Sequence, residues 1–280
     1  MIKKVKAPVR IDFGGGTTDI KPFTHTHGGA VLNAAINHYV YGQLISTNEK
    51  IELEYHADIP TSSGLGTSSA MNVVWTALIT PIKEKQKIAE AVFNIEHAVK
   101  ESSVNGKQDQ YASAFGGINF MEFKGDKVII HPLKLKKELI KKLEDKLVLV
   151  YSGKSHYSGN TNKSFIDNLI KGKNKKNLVE LKQIAIKMKN ALLKGDLYEF
   201  AELMNQETEQ RKQLSSLALS PQLKQIIDLG KANGAIAAKI CGSGGGGSIL
   251  FFTDNKIKLI KTFKNKIIPF KFDFNGLTWE

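Results

Sequence analysis

Cysteine occurs once in 280 residues, as Cys241, which excludes an internal disulfide framework and a thiolate metal cluster. That thiol lies beside a glycine run, where a lone nucleophile or a buried bystander both fit. Arginine is almost as scarce. Of 40 basic residues only Arg10 and Arg211 are arginine. The formal charge of +13 is therefore a lysine charge. Recognition of bases and phosphates leans on the arginine fork, and aromatic residues are not interleaved with the lysine-rich stretches 134–146, 171–176 and 256–266 as in a stacking platform. A solvated surface that steers anionic metabolites is expected, with no specific nucleic acid as partner. No run of 18 apolar residues is present, so no membrane association is expected. The opening residues MIKKVKAPVRIDF run straight into a strand pattern without an apolar leader segment, and the expected compartment is the cytoplasm. The seven histidines show neither HExxH nor zinc spacing. His25, His27 and His156 fit contacts to an anionic or polyhydroxylated ligand and fit exposed loops equally well.

What is present is glycine, 24 residues of it, concentrated in a few places. Residues 60–70 read PTSSGLGTSSA between an alternating stretch, Ile51–Tyr55, and an apolar periodic one, Met71–Ile79. A strand, a Gly/Ser/Thr loop and a helix start form an arrangement that cradles phosphate through inward amides and the helix N-terminus. No GK[ST] ends it, so it is not a Walker A loop. Gly64 and Gly66 leave room for backbone amides to wrap phosphate. Ser68 and Ser69 stand where hydroxyls meet Mg²⁺ or phosphate, or simply cap the helix.

Three further segments carry chemistry. Arg10-Ile-Asp12 leads through Gly14, Gly15, Gly16 and Thr17 to Asp19. The glycines permit a sharp turn or a close approach to a ligand. Asp19 fits a grip on a pair of substrate hydroxyls, or a cap on the turn. Arg10 fits charge stabilisation in a closed site, or an ion pair that holds the sheet. Glu96, on a helical stretch, offers a hard oxygen that would complement Ser68 around magnesium, and a surface carboxylate there needs no explanation. Asp109, in Asn105-Gly-Lys-Gln-Asp-Gln-Tyr111, is placed in a turn. There it would orient or deprotonate an attacking hydroxyl, or pair with Lys107. Finally, Cys241-Gly-Ser-Gly-Gly-Gly-Gly-Ser248 joins two strands with five glycines in six positions, a use of glycine that suits close packing against a nucleotide or substrate.

The pattern of elements predicts strands with two helices first, then helices with a sheet. Strands are expected at Val5–Phe13, late in Ala30–Leu44, Ile51–Tyr55, Gly116–Phe123, Lys127–Ile130, Leu147–Tyr151, Ala235–Ile240, Ser248–Phe252 and Ile267–Phe274. Helices are expected at Ser69–Thr80, Lys83–Ser102, Asn160–Ile170, Lys175–Lys194, Leu197–Leu214, Pro221–Asn233 and Lys256–Phe263. This is an α+β chain whose halves face each other across a cleft.

Taken together, the four segments resemble the GHMP kinase superfamily. The match at residues 60–70 and at Lys239–Phe251, in that order and separation, extends the resemblance over essentially the whole chain. Ala7-Pro-Val-Arg-Ile-Asp-Phe-Gly-Gly-Gly-Thr-Thr-Asp19, Gly28–Asn33, Gly106–Ala112 with Phe115–Gly117, and Tyr151–His156 are most similar to the heptose 7-phosphate kinase and fucokinase group of sugar 1-kinases. The chain is shorter than is usual there, and Thr17 stands without the tryptophan of fucokinases. The resemblance implies an N-terminal domain, residues 1–140, like domain 2 of ribosomal protein S5, and a ferredoxin-like C-terminal domain, residues 141–280. It implies ATP and Mg²⁺ as cofactors. Pro60, Ser62, Ser63, Gly64, Leu65, Gly66, Thr67, Ser68 and Ser69 would hold the ATP phosphates, and Ser68 and Glu96 the metal. Asp109 would be the catalytic base, with Arg10 beside the transferring phosphoryl group. Asp19, Gly15, Gly16 and Thr17 would contact the sugar, and Gly244 and Gly245 would line the cleft. Lys21 and Lys154 would meet a distal phosphate if the sugar carries one. The implied reaction is phosphorylation of an anomeric hydroxyl, with a monomer or homodimer as the working unit. Galactose-, fucose-, mevalonate- or homoserine-type kinases are the enzyme alternatives, and a silent sugar or nucleotide sensor is the non-enzymatic one. A sensor would be expected to lose Asp109, Ser68 or Glu96, and all three are present. A nucleic-acid-binding protein built on the S5-like half is the third class.

Overall fold

The computed structural model describes residues 1–48, 50–99, 106–153, 165, 167–169 and 171–280. The expected segments at 100–105 and 154–164, with Asn105, Lys154 and His156, lie outside the described residues, as does most of the expected helix Asn160–Ile170.

Strand β1 (Ile2–Gly14) pairs antiparallel with β2 (Gly29–Ser46) along almost its whole length. The other edge of β2 is shared. Its first residues pair with β4 (Ile118–Lys124) and its last with β3 (Ile51–Ala57). β5 (Lys127–Pro132) completes the hairpin expected around Lys124-Gly-Asp126. Helices α2 (Thr67–Ile79) and α4 (Gln108–Phe115) pack on β1 and β2, with α3 (Lys85–Val99) against both. Apolar residues alternate along β1, so Val5, Ala7, Val9, Ile11 and Phe13 all lie in the core.

A second sheet has the order β7-β8-β6-β9: Ala235–Ile240, Ser248–Thr253, Leu147–Tyr151 and Ile267–Ile268. Helix α6 (Lys175–Lys194) lies on β1 and β2. Helix α7 (Leu197–Leu214) lies against α6 and β7. One continuous core therefore runs from β1 through Ile184, Met188 and Phe200 to Phe252. A smaller cluster under α8 (Pro221–Ala232) and α9 (Lys256–Phe263) covers the outer face of the second sheet. Asp196 and Ser220 accept the backbone N–H three residues on, which starts α7 and α8 where the sequence places them.

One expected strand is cut short and two helices lie where none was expected, each for an identifiable reason. The closing strand Ile267–Phe274 is only two residues long, because Pro269 has no N–H to donate to a ladder. The strand that closes on β1 is β10 (Thr278–Trp279). Helix α1 (Lys21–His27), with Pro22 in its first turn, lies in a threonine- and histidine-rich run that carries little apolar periodicity and was not expected as a helix. Helix α5 (Lys137–Lys146) was hidden in a lysine-rich stretch, where only Leu143 and Glu144 are buried.

Candidate active site

The 60–70 loop has an alternating backbone. Backbone φ is positive at Ser62 (62°), Gly64 (80°) and Gly66 (73°) but not at the residues between them. Such alternation turns successive amides toward one side and makes an anion-binding concavity. Gly66, left-handed, is the N-cap of α2, and no side chain caps that helix. A glycine there offers no side chain to cap the first N–H groups, and the helix dipole adds positive charge. The hydroxyls divide by role. Ser63 and Thr67 meet at 3.4 Å and Thr67 donates to the Pro60 carbonyl, which closes the loop on itself. Ser69 is buried and bonds Glu96. Ser62 and Ser68 are exposed.

The loop is held from behind by β1 and by the glycine turn 242–247. Arg10 donates its backbone N–H to the Leu65 carbonyl (2.9 Å), and its Nη1 donates to the Gly64 carbonyl (2.7 Å). Ser248 donates its hydroxyl to the Ser63 carbonyl. A Cβ on Gly64 would sit 2.6 Å from the Cys241 carbonyl oxygen, and one on Gly247 would sit 2.6 Å from that of Ser63. Gly244 instead faces the Ala218 carbonyl, which also accepts the Gly245 N–H. The close approaches expected of this turn toward a ligand are thus made to the protein's own backbone. Cys241 is buried and free, and burial pushes its thiol up to about 12, so it is no nucleophile at neutral pH.

Asp109 stands in the first turn of α4 rather than in a loop. Its Oδ1 accepts from both Nε (2.8 Å) and Nη2 (2.7 Å) of Arg10. The partner is Arg10, not Lys107, whose Nζ donates to the Asp126 carbonyl. Oδ2 of Asp109 lies 3.4 Å from where a Cβ of Gly66 would be, so the carboxylate faces the mouth of the phosphate loop. Arg10 is 5% exposed and Asp109 26%, which leaves the carboxylate as the accessible end of the pair.

Glu96 projects from α3 toward the same region. Asn72 donates to its Oε1 (2.7 Å), Gln110 to its Oε2 (2.5 Å), and burial raises its pKa despite these bonds. Asp19 accepts the Gln108 N–H at 3.0 Å. Burial, with a smaller push from Asp109, raises the Asp19 carboxyl to about 6, although that N–H lowers it. Lys21 and His25 pair at the rim with Asp126.

The glycine turn 14–19 has a support that the sequence reading missed. Arg211 on α7 donates to the Gly16 carbonyl (3.2 Å) and to the Thr17 hydroxyl (3.4 Å). Glu207, one turn earlier, accepts from Arg211 Nε and Nη2. Lys239 is fully buried 3.1 Å from Asp12 Oδ2 and 3.5 Å from Glu207 Oε2. Asp12 Oδ1 accepts the Gly242 N–H. Burial works to raise the Asp12 carboxyl, but Lys239, Arg10 and Arg211 outweigh it and hold it below the usual carboxylate range. Two signals were available in the sequence: the rarity of arginine and the i, i+4 spacing of Glu207 and Arg211.

These features coincide with two family matches. The model of the GHMP kinase N-terminal domain matches residues 30–117, and that of the GHMP kinase C-terminal region matches residues 188–263. The chain belongs to the GHMP kinases. It is an ATP-dependent small-molecule kinase. Among relatives, this GHMP kinase is 29% identical to the D-glycero-alpha-D-manno-heptose 7-phosphate kinase of Campylobacter jejuni, over 98% of this chain and 97% of that one. The crystal structure of a D-glycero-D-manno-heptose 1-phosphate kinase from Bacteroides thetaiotaomicron superposes with a TM-score of 0.79 at 27% identity, covering 100% and 99% of the two chains. Lactococcus lactis galactokinase, at 16% identity and a TM-score of 0.73, covers 100% of this chain and 95% of its own and shares the fold. No helix among the described residues is long and apolar enough to cross a membrane.

Proposed function

We propose that this kinase transfers the γ-phosphoryl group of ATP to the anomeric hydroxyl of a sugar or sugar phosphate of the heptose 7-phosphate type. The observation that carries the reading is the Arg10–Asp109 pair set at the mouth of the phosphate loop, with Oδ2 of Asp109 turned toward Gly66. The heptose kinases among the relatives support the substrate class.

In this reading the amides of residues 62–69 and the N-terminus of α2 bind the triphosphate and hold negative charge where it develops. Asp109 accepts or orients the proton of the attacking hydroxyl. Arg10 fixes Asp109 through Oδ1 and leaves Oδ2 as the accepting atom. Asp19, with the backbone of Gly15, Gly16 and Thr17, binds sugar hydroxyls and sets which carbon faces Asp109. Gly244 and Gly245, which pack on the Ala218 carbonyl, act on the cleft only by fixing the turn from which Gly242 and Gly247 approach the 60–70 loop.

The donor set fits magnesium. Glu96 and Ser68 offer hard oxygens of the kind magnesium takes. No group of three or more His, Cys, Asp or Glu side chains converges among the described residues, so the remaining ligands would be phosphate and water. The ion would neutralise charge on the phosphates.

The test is ADP release with Mg-ATP across free sugars and sugar phosphates, followed by NMR of the product. One preferred sugar with its new phosphate on C1 supports the reading. Turnover only with mevalonate or homoserine, or a phosphate on another carbon, overturns it.

A further inference from the structure

Thr17 is a β-branched residue held at φ +79°, a region such residues avoid. It is 8% exposed and sits in the turn that carries Asp19. Something must hold it there. From its own side of the fold, Thr18 ties the ends of the turn by giving its backbone N–H (3.1 Å) and its hydroxyl (2.7 Å) to the Gly15 carbonyl, and the middle of the turn, Gly16–Thr17, is gripped from elsewhere. From α7, the buried Arg211 fork reaches the carbonyl before Thr17 and the hydroxyl of Thr17 itself. Gly16 makes this approach possible, since a Cβ there would lie 2.7 Å from Asp12 Oδ2 and 3.1 Å from Arg211 Nη2.

We infer that Arg211 is a positioning residue of the substrate site: it clamps the Gly16–Thr17 turn in its left-handed form and so sets Asp19 and the turn backbone for the acceptor. Among the described residues Arg211 bonds Glu207, Gly16 and Thr17 and neither the 60–70 loop nor Asp109, so its influence falls on the acceptor and not on ATP. The fork is aimed by Glu207, which takes Nε and Nη2 at 3.1 and 2.6 Å. Glu207 and Asp12 in turn share Lys239, so two acids and two bases close a buried ring beneath the turn. A buried arrangement of this kind is costly to form, and its geometric specificity is the return. The inference rests on the reading of residues 15–19 as sugar-facing.

The experiment is a cycle between Arg211→Lys and Thr17→Gly. Lysine keeps the buried charge beside Glu207 but lacks the planar fork. Glycine removes the left-handed penalty that the fork offsets. Two readouts are taken: the KM for sugar against the KM for ATP, and amide hydrogen exchange of the peptide spanning residues 14–19. Arg211→Lys alone is expected to raise the sugar KM about tenfold, the equilibrium equivalent of holding a non-glycine residue left-handed. It should speed exchange of the turn by about the same factor and leave the ATP KM unchanged. In the Thr17→Gly background the same Arg211→Lys change should move both readouts by less than about twofold, because the penalty being offset is gone. Equal losses in both backgrounds, or an ATP KM that rises with the sugar KM, would overturn the inference. Thr17→Val, which keeps the backbone restriction and deletes the hydroxyl acceptor, probes the same grip without disturbing the ion ring. It should speed exchange in the wild-type background, and unchanged exchange there would count against the clamp. The exchange arms decide this inference even if no sugar is phosphorylated, an outcome that would sink only the functional reading.

Discussion

Replacement of Asp19 by asparagine separates what this carboxylate does for binding from what it costs the fold. Asp19 is 5% exposed, and its carboxyl is raised by burial from 3.8 to about 6. Below pH 3.8 the group is protonated both folded and unfolded, and no cost arises. Between there and about 6 the unfolded chain ionises while the native state keeps its proton, so stability falls as pH rises. Above about 6 the full cost is present. A gap of about two pH units is worth about 3 kcal/mol. Asparagine keeps the oxygen that accepts the Gln108 N–H and cannot ionise. Its amide needs a partner of its own, which costs about 1–2 kcal/mol at every pH. Urea unfolding of both proteins from about pH 4 to pH 8 isolates the effect, because the other carboxylates cancel in the difference. The variant should gain about 3 kcal/mol relative to wild type over that range and end more stable at the alkaline side. The same variant should lose most sugar affinity and keep its ATP KM. A stability difference that stays flat with pH would refute the reasoning.

Further outcomes follow from the same contacts. Sugar kcat/KM of the wild type should fall as pH drops through about 6, as the Asp19 carboxyl takes up its proton, while ATP affinity holds; a profile flat across that pH in steady-state assays would contradict this. Gly64→Ala forces a left-handed alanine and places its Cβ 2.6 Å from the Cys241 carbonyl, so the two loops must part. The ATP KM should rise more than about tenfold, with a loss of about 2 kcal/mol in denaturant unfolding. Gly106→Ala drives a Cβ into the Asp19 carboxylate, 1.8 Å from Oδ2, and should instead raise the sugar KM while the ATP KM is spared. Asp12→Asn preserves an oxygen for the Gly242 N–H but leaves Lys239 and Arg211 short of one negative charge. It should cost about 3 kcal/mol by calorimetry or urea titration.

Some of this site was legible because its signals are local. The glycines at 64 and 66 take the positive φ that a loop-to-helix phosphate cradle requires, and the rarity of arginine singles out Arg10. The long helices 175–194 and 197–214 carry a clean apolar periodicity and match their expected bounds. Other features were not local. Asp12 meets Lys239 across 227 positions and Arg211 meets Gly16 across 195, and no spacing rule reaches that far. Ser68 and Ser69 look alike in the sequence, yet helix geometry buries Ser69 against Glu96 and leaves Ser68 exposed. Asp109 looked like a turn residue because Asn105-Gly-Lys precedes it, while the apolar face of Tyr111, Ala112 and Ala114 extends the helix back to Gln108.

The central claim is that the Oδ2 of Asp109, held by Arg10 at the mouth of the phosphate loop, serves the attacking hydroxyl. Rapid-quench single turnover of Asp109→Asn against wild type, with the sugar that the wild type prefers, tests it most directly. Asparagine keeps the shape and loses the proton acceptor. A fall in the phosphoryl-transfer rate of about 10²–10⁴-fold, with ATP and sugar affinities within a few-fold of wild type, is the expected result. A rate within tenfold of wild type would contradict it.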